Sequence, residues 1–141
     1  MKRKQRTEIL INGSAELAAA LAQEIENRYQ VTTIEEPNHG LVMVKVRETA
    51  QKSLFYLGEV FVTECKVQIE GCMGIGILKG DEPERAYDLA VIDAAYEAVL
   101  KETAAWSALL QAEADRIANE RKAFAAKIRR TKVDFETMDT E

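Results

Sequence analysis

Residues 65–83 read Cys65-Lys66-Val67-Gln68-Ile69-Glu70-Gly71-Cys72-Met73-Gly74-Ile75-Gly76-Ile77-Leu78-Lys79-Gly80-Asp81-Glu82-Pro83, and this stretch decides the fold. Apolar residues alternate on both sides of Glu70-Gly71, the period of a half-buried strand, so the segment predicts a β-hairpin turning at that dipeptide. With Ile69 opposite Met73, the large side chains Cys65, Val67, Ile69, Met73, Ile75 and Ile77 share one face, and Gly74, Gly76 and Leu78 the other. Alternate glycines then make a flat strand face on which another backbone can pack closely. Gly80-Asp81 ends the strand, Pro83 opens a helix after Glu82, and Glu84 complements the dipole at that end. A phosphate-binding loop fits less well. Lys79-Gly80 is followed by Asp81 rather than Ser or Thr, and Asp81, Glu82 and Glu84 would repel a phosphate.

Upstream, Leu41 to Arg47 places Val42, Val44 and Val46 on one strand face. Leu54 to Ile69 is a longer strand whose apolar phase changes between Val62 and Cys65, which predicts a bulge near Thr63-Glu64. Pro37-Asn38-His39-Gly40 reads as a turn and sets off Val31–Ile34 as a weak first strand. Four strands joined by short turns predict an antiparallel meander covered on one face by helices. At the N-terminus a basic start leads into a short helix over Thr7–Asn12. Ser14 then caps a second helix with Leu17, Leu21, Ile25 and Tyr29 in one stripe.

Downstream, Ala86, Leu89, Ala90, Ile92 and Ala94 make the Pro83 helix apolar over a wide face, suited to burial against the sheet. The next helix carries a narrow stripe of Trp106, Leu110, Ile117, Phe124 and Ile128 among charges, the pattern of a projecting arm or of a helix laid along a partner. From Lys132 the chain alternates, with Val133, Phe135 and Met138 apolar, which predicts a short extended tail over 132–141 that docks on the domain or on another subunit. The expectation is one α+β domain over 1–141: an N-terminal helical segment (1–13 being the basic start and short helix), a four-stranded antiparallel meander, two C-terminal helices and the tail.

The chain has 141 residues, 47% apolar and 30% charged, enough for one core without disulfides or metal. Nineteen Lys and Arg against 24 Asp and Glu leave −5, which argues against a dedicated nucleic-acid binder. The basic start Met1–Arg6 is followed only by Ile9-Leu10-Ile11, no export core, and the longest apolar run, Leu17–Ala22, is too short for a membrane span, so a cytoplasmic protein is expected. Cys65 and Cys72 read as free thiols with no partner at metal-ligand spacing. His39, the single histidine, sits in the predicted turn, where a solvated side chain is the plainer reading. No catalytic, cofactor-binding or metal residue is therefore expected. Asp93 interrupts the apolar helix, either as a boundary position at the helix edge or with a partner: Lys45 or Arg47 from the sheet, or a group of another chain. The cluster Lys127, Arg129, Arg130 and Lys132 complements a helix C-terminus.

Four segments in this order resemble the PhnG family of the bacterial carbon–phosphorus lyase system: Gly40–Val44, Leu57–Glu64, Gly74-Ile75-Gly76 through Gly80-Asp81 to Ala90–Ala94, and Lys132–Met138. The resemblance runs from about Ala15 to Met138, and the terminal motif is its most specific part. It implies an accessory, non-catalytic subunit of a core complex with PhnH, PhnI and PhnJ, two copies of each, and an association with the ATPase-like proteins PhnK and PhnL. It implies that the complex transfers a phosphonate onto the ribose C1 of MgATP with release of adenine. The iron–sulfur cluster and S-adenosylmethionine would belong to a partner subunit. On this reading the residues expected at interfaces are Gly74, Gly76, Asp93, Trp106, Ile117, Phe124, Val133, Phe135 and Met138. The alternatives are a homo-oligomeric α+β binding or scaffold module and, less favoured, a small enzyme built on His39.

Overall fold

A computed structural model describes the backbone of residues 1–139 and the side chains of residues 1–132. Helices α1 (Arg3–Asn12) and α2 (Ala15–Arg28) precede strands β1 (Thr32–Arg47), β2 (Leu54–Ile69) and β3 (Cys72–Lys79), and helices α3 (Pro83–Glu97) and α4 (Glu102–Asp139) follow. The class is α+β as expected, but the sheet has three antiparallel strands in the order β1-β2-β3, not four.

The missing turn is Pro37-Asn38-His39-Gly40, which lies inside β1. β1 is an edge strand, where a proline costs no ladder hydrogen bond if its nitrogen faces outward. The pairing with β2 slips on either side of Glu35, before Asn38, and Asn38 Nδ2 donates to the Glu36 and Glu64 carbonyls at 2.9 and 3.3 Å, bridging the irregularity. The turn residues thus make a bulged edge. The bulge expected near Thr63-Glu64 is absent from the β2–β3 pairing, which runs unbroken from Val62↔Lys79 to Ile69↔Cys72.

That register also corrects the expected hairpin. Ile69 pairs with Cys72, not Met73, across a two-residue turn in which Glu70 and Gly71 both have positive φ, 48° and 80°. A type I′ turn matches the right-handed twist of the flanking strands. Moving the register by one residue sends every β3 side chain to the other face. Gly74, Gly76 and Leu78 therefore face the core with Cys65, Val67 and Ile69, while Met73, Ile75 and Ile77 face outward.

The reason lies in α3. A Cβ on Gly74 would overlap the Ala90 carbonyl oxygen and meet Ala94 Cβ at 2.6 Å, and one on Gly76 would overlap the Ala86 carbonyl oxygen. The row Ala86, Ala90, Ala94 presses its own backbone onto the glycine track, so the strand phase follows the close approach and not side-chain size. α3 is the central element, with Ala90, Val91, Ile92, Ala94 and Ala95 fully buried between the sheet and the other helices.

The Ser14 hydroxyl caps α2 by accepting from Glu16 N at 3.2 Å, and Leu21 and Ile25 of the expected stripe are buried. Glu102 accepts from Arg28 Nη1 at 3.1 Å and from the Tyr29 hydroxyl at 3.0 Å, pinning the start of α4 to the end of α2. α4 is about 57 Å long at 1.5 Å per residue. It continues through Asp139, so the backbone expected as an extended tail from Lys132 is helical as far as it is described; alternation over seven residues was too short to separate the two periods. The docking of the Val133, Phe135 and Met138 side chains lies outside the described residues.

Candidate functional site

Helices cover one face of the sheet, and the other is open. On it Met73, Ile75 and Ile77 stand in water opposite Gln68, Lys66 and Glu64 of β2, and Val62 and Val60 of β2 with Val42 of β1 follow on the same face toward the far end. β3 stops opposite Val62, but β1 and β2 continue past it as a two-stranded ribbon, Gly40–Arg47 against Leu54–Phe61, that leaves the core. At about 3.3 Å per residue it extends roughly 25 Å. Val42, Val46 and Phe55 lie on one face of the ribbon and Leu41, Met43 and Tyr56 on the other, all exposed, with a register shift between Val44 and Lys45. Monomeric proteins rarely leave apolar surface of this extent in water.

One backbone donor on the free edge of β3 is capped. The Asp93 carboxylate reaches from α3 and accepts the Ile75 backbone N–H at 3.0 Å. The same carboxylate accepts from Arg3 Nε and Nη2 at 3.0 and 2.6 Å and from Arg6 Nη2 at 3.1 Å. Arg6 is buried, and its guanidinium also lies 3.9 Å over the Tyr96 ring. Asp93 thus caps an edge that would otherwise template another strand, and it ties α1 to the body. Its partners are not Lys45 or Arg47, which lie on the ribbon. They come from the basic start, because α1 begins at Arg3 and not at Thr7. The signal available in the sequence was the spacing of Arg3 and Arg6, which puts both on one helix face.

Of the other residues expected at interfaces, Gly74 and Gly76 are buried against α3 of the same chain. Trp106 is buried too, its indole N–H donating to Glu24 Oε2 at 3.0 Å. Ile117 is half-buried, and Phe124 is exposed where α4 projects. The structure therefore separates these positions into core and arm; it does not gather them into one surface. The ribbon residues were legible as strand, but their two-sided exposure was not.

His39 Nε2 lies 2.7 Å from Asp81 Oδ1, with its ring tilted 4.8 Å from Phe61, at an exposed position. Cys65 and Cys72 are free, and burial pushes the Cys65 thiol up to about 11, unsuited to a nucleophile. Among the described residues no group of three or more His, Cys, Asp or Glu stands where it could hold a metal ion, and no helix is long and apolar enough to cross a membrane.

A cavity of about 480 Å³ between α2, β1 and α3 is lined by Glu26, Glu36, Tyr87 and Asp88. Burial, with repulsion from Glu26 and Glu84, pushes the Asp88 carboxyl up to about 6. An aspartate raised above its unfolded value of about 3.9 stabilises the fold fully below that pH and loses the contribution as pH rises through the folded value. Asp88→Asn is expected to raise stability at pH 7.5, on the order of 1 kcal/mol after solvent screening, and to flatten the stability profile between roughly pH 4 and 6. Urea melts across that range check both.

These features define a small α+β domain that covers one sheet face with its own helices and leaves the other face and a ribbon open. The model of the family "Phosphonate metabolism protein PhnG" matches residues 1–139, and the chain belongs to that family. It is similar to the alpha-D-ribose 1-methylphosphonate 5-triphosphate synthase subunit PhnG of Rhizobium meliloti (strain 1021), with 32% identity over 115 residues, 81% of this chain and 73% of the relative. By family, then, it is a phosphonate metabolism protein.

Proposed function

We propose that this chain is a non-catalytic accessory subunit of a cytoplasmic carbon–phosphorus lyase assembly, holding a catalytic partner in its working conformation. The assembly transfers a phosphonate onto the ribose C1 of MgATP and releases adenine. PhnH-, PhnI- and PhnJ-like chains are its companions, and the ATPase-like PhnK and PhnL associate with them. MgATP is used by the assembly, and the iron–sulfur cluster and S-adenosylmethionine sit in a partner.

The observation that carries this reading is the open sheet face. Met73 at 51% exposure, Phe55 at 47% and Val42 at 46% lie on the uncovered side of the sheet and ribbon, and a chain that works alone has no reason to keep so many apolar side chains in water. Co-expression with the three companion subunits from the same source tests it. A discrete complex containing all four chains is expected, with synthase activity lost when this chain is omitted. A His39→Ala variant should leave the activity of that complex unchanged. A clean solitary protein, or activity that tracks His39, would overturn the proposal.

A further inference from the structure

We infer that the ribbon is an insertion element: both of its faces are enclosed by an apolar cleft of a different and larger subunit. This rests on the subunit reading above and adds to it where the contact is and what the partner must offer.

Two strands without a third are marginal in water, and this pair stands beyond the end of β3 with its outer ladder positions beside Leu54–Phe61 unfilled by β3. Its apolar side chains occur on both faces, and the face of Leu41, Met43 and Tyr56 also carries Lys45, Arg47 and Glu59. Val42 on one side is 46% exposed and Met43 on the other 58%. Together the ribbon's apolar residues expose on the order of 800 Å², the area one partner contributes to a stable protein–protein interface. The area alone would also fit a second copy of this chain, but its distribution does not. Two ribbons joined edge to edge leave both faces in water, and two ribbons stacked face to face leave one. Only walls on both sides cover the whole surface, which requires a cleft.

The ribbon's far end has its own chemistry. Lys45, Arg47 and Lys52 stand there against Glu48, so the cleft ends in an acidic patch. The capping of the Ile75 N–H by Asp93 fits the same picture, since it takes one donor of the β3 edge and so disfavours strand addition there.

The test uses neighbouring residues that point to opposite faces. Val42→Lys and Met43→Lys are made separately in the full chain, which is co-expressed with its companion subunits. The amount of companion retained and the affinity for the purified larger companion are then measured. Each substitution is expected to weaken association at least tenfold. The melting temperature of the chain alone should stay near that of the wild type, because both positions are exposed there. A third variant, Lys45→Glu with Lys52→Glu, should weaken association in a salt-dependent way.

Loss from one face only would mean that the ribbon lies flat on its partner, and would overturn insertion while leaving the subunit reading intact. No loss from either face, with the complex still forming, would have the same consequence. A discrete dimer of the chain alone that either substitution dissolves would assign the ribbon to a second copy and overturn the inference. Failure of the wild type to associate at all would overturn the subunit reading itself.

Discussion

Gly74→Ala is expected to destabilise the domain by about 3 kcal/mol or more, a large share of the roughly 5–15 kcal/mol that a domain of this kind has. The added methyl has nowhere to go. It would overlap the Ala90 carbonyl oxygen and the Ala94 nitrogen, which are backbone atoms in the middle of a helix buried on both sides. No rotamer change relieves that, and neither does trimming Ala94 to glycine, because the carbonyl of residue 90 remains. α3 would have to retreat from the strand, opening the contact that organises the core. Urea denaturation of the purified variant, or the soluble fraction where it does not fold, measures the effect. A loss below about 1 kcal/mol would mean that α3 and β3 have more room than the structure gives them. Gly76→Ala should behave alike, since its Cβ would overlap the Ala86 carbonyl oxygen and meet Ala90 N at 2.7 Å.

Asp93→Ala should cost about 3–5 kcal/mol, the range found when one partner of a buried ion pair is removed. The Asp93 and Arg6 side chains are 8% and 7% exposed, so deleting the carboxylate strands a buried guanidinium and leaves the Ile75 N–H without its acceptor. The Tyr96 ring under Arg6 offsets only a part of that. Arg3 is the control, because its side chain is 55% exposed and its loss should cost about 1 kcal/mol or less. Hydrogen exchange adds a readout that separates local from global effects. Amides in the first half of α1 should lose protection in Asp93→Ala before those of α2, because the carboxylate ties that end to α3 while Arg85 Nη2, donating to the Leu10 and Ile11 carbonyls at 2.9 and 2.7 Å, still holds the other end. Equal exchange across both helices would place the anchor of α1 elsewhere. The freed β3 edge should also make the variant more prone to associate through strand pairing.

Several features were readable in the sequence because their causes are local. Ser14 as an N-cap, the stripe Leu21 and Ile25, Pro83 at the start of α3 and the turn at Glu70-Gly71 depend on neighbours within a few residues. The close packing of a backbone on the glycine face was also legible, since alternate glycines have few other uses in a strand. Family membership was legible from the order of four motifs, and the matched residues bear it out.

The errors share one physical origin. Pairing Ile69 with Met73 assumed that large apolar residues collect on the buried face, whereas the buried face here is the one with the least side chain. Placing a bulge at Thr63-Glu64 likewise assumed that only one face of β2 is apolar. In the structure Val62 and Cys65 simply point to opposite faces, with apolar residues on both. Both assumptions fail wherever a second apolar face is present, and the chain does not itself cover that face. Separately, Trp106 and Phe124 lie on one helical stripe, but Trp106 is buried in the body and Phe124 is exposed further along α4.

The sequence by itself determined the class, the helices and their caps, the hairpin turn and the family, because each is encoded by residue types at short spacing. Only the tertiary structure decided the strand register, the partners of Asp93 and the two-sided exposure of the ribbon. Those depend on which segments distant in the chain come together, Arg3 and Arg6 with Asp93 or Ala90 with Gly74, and short-range periodicity holds no information about such meetings.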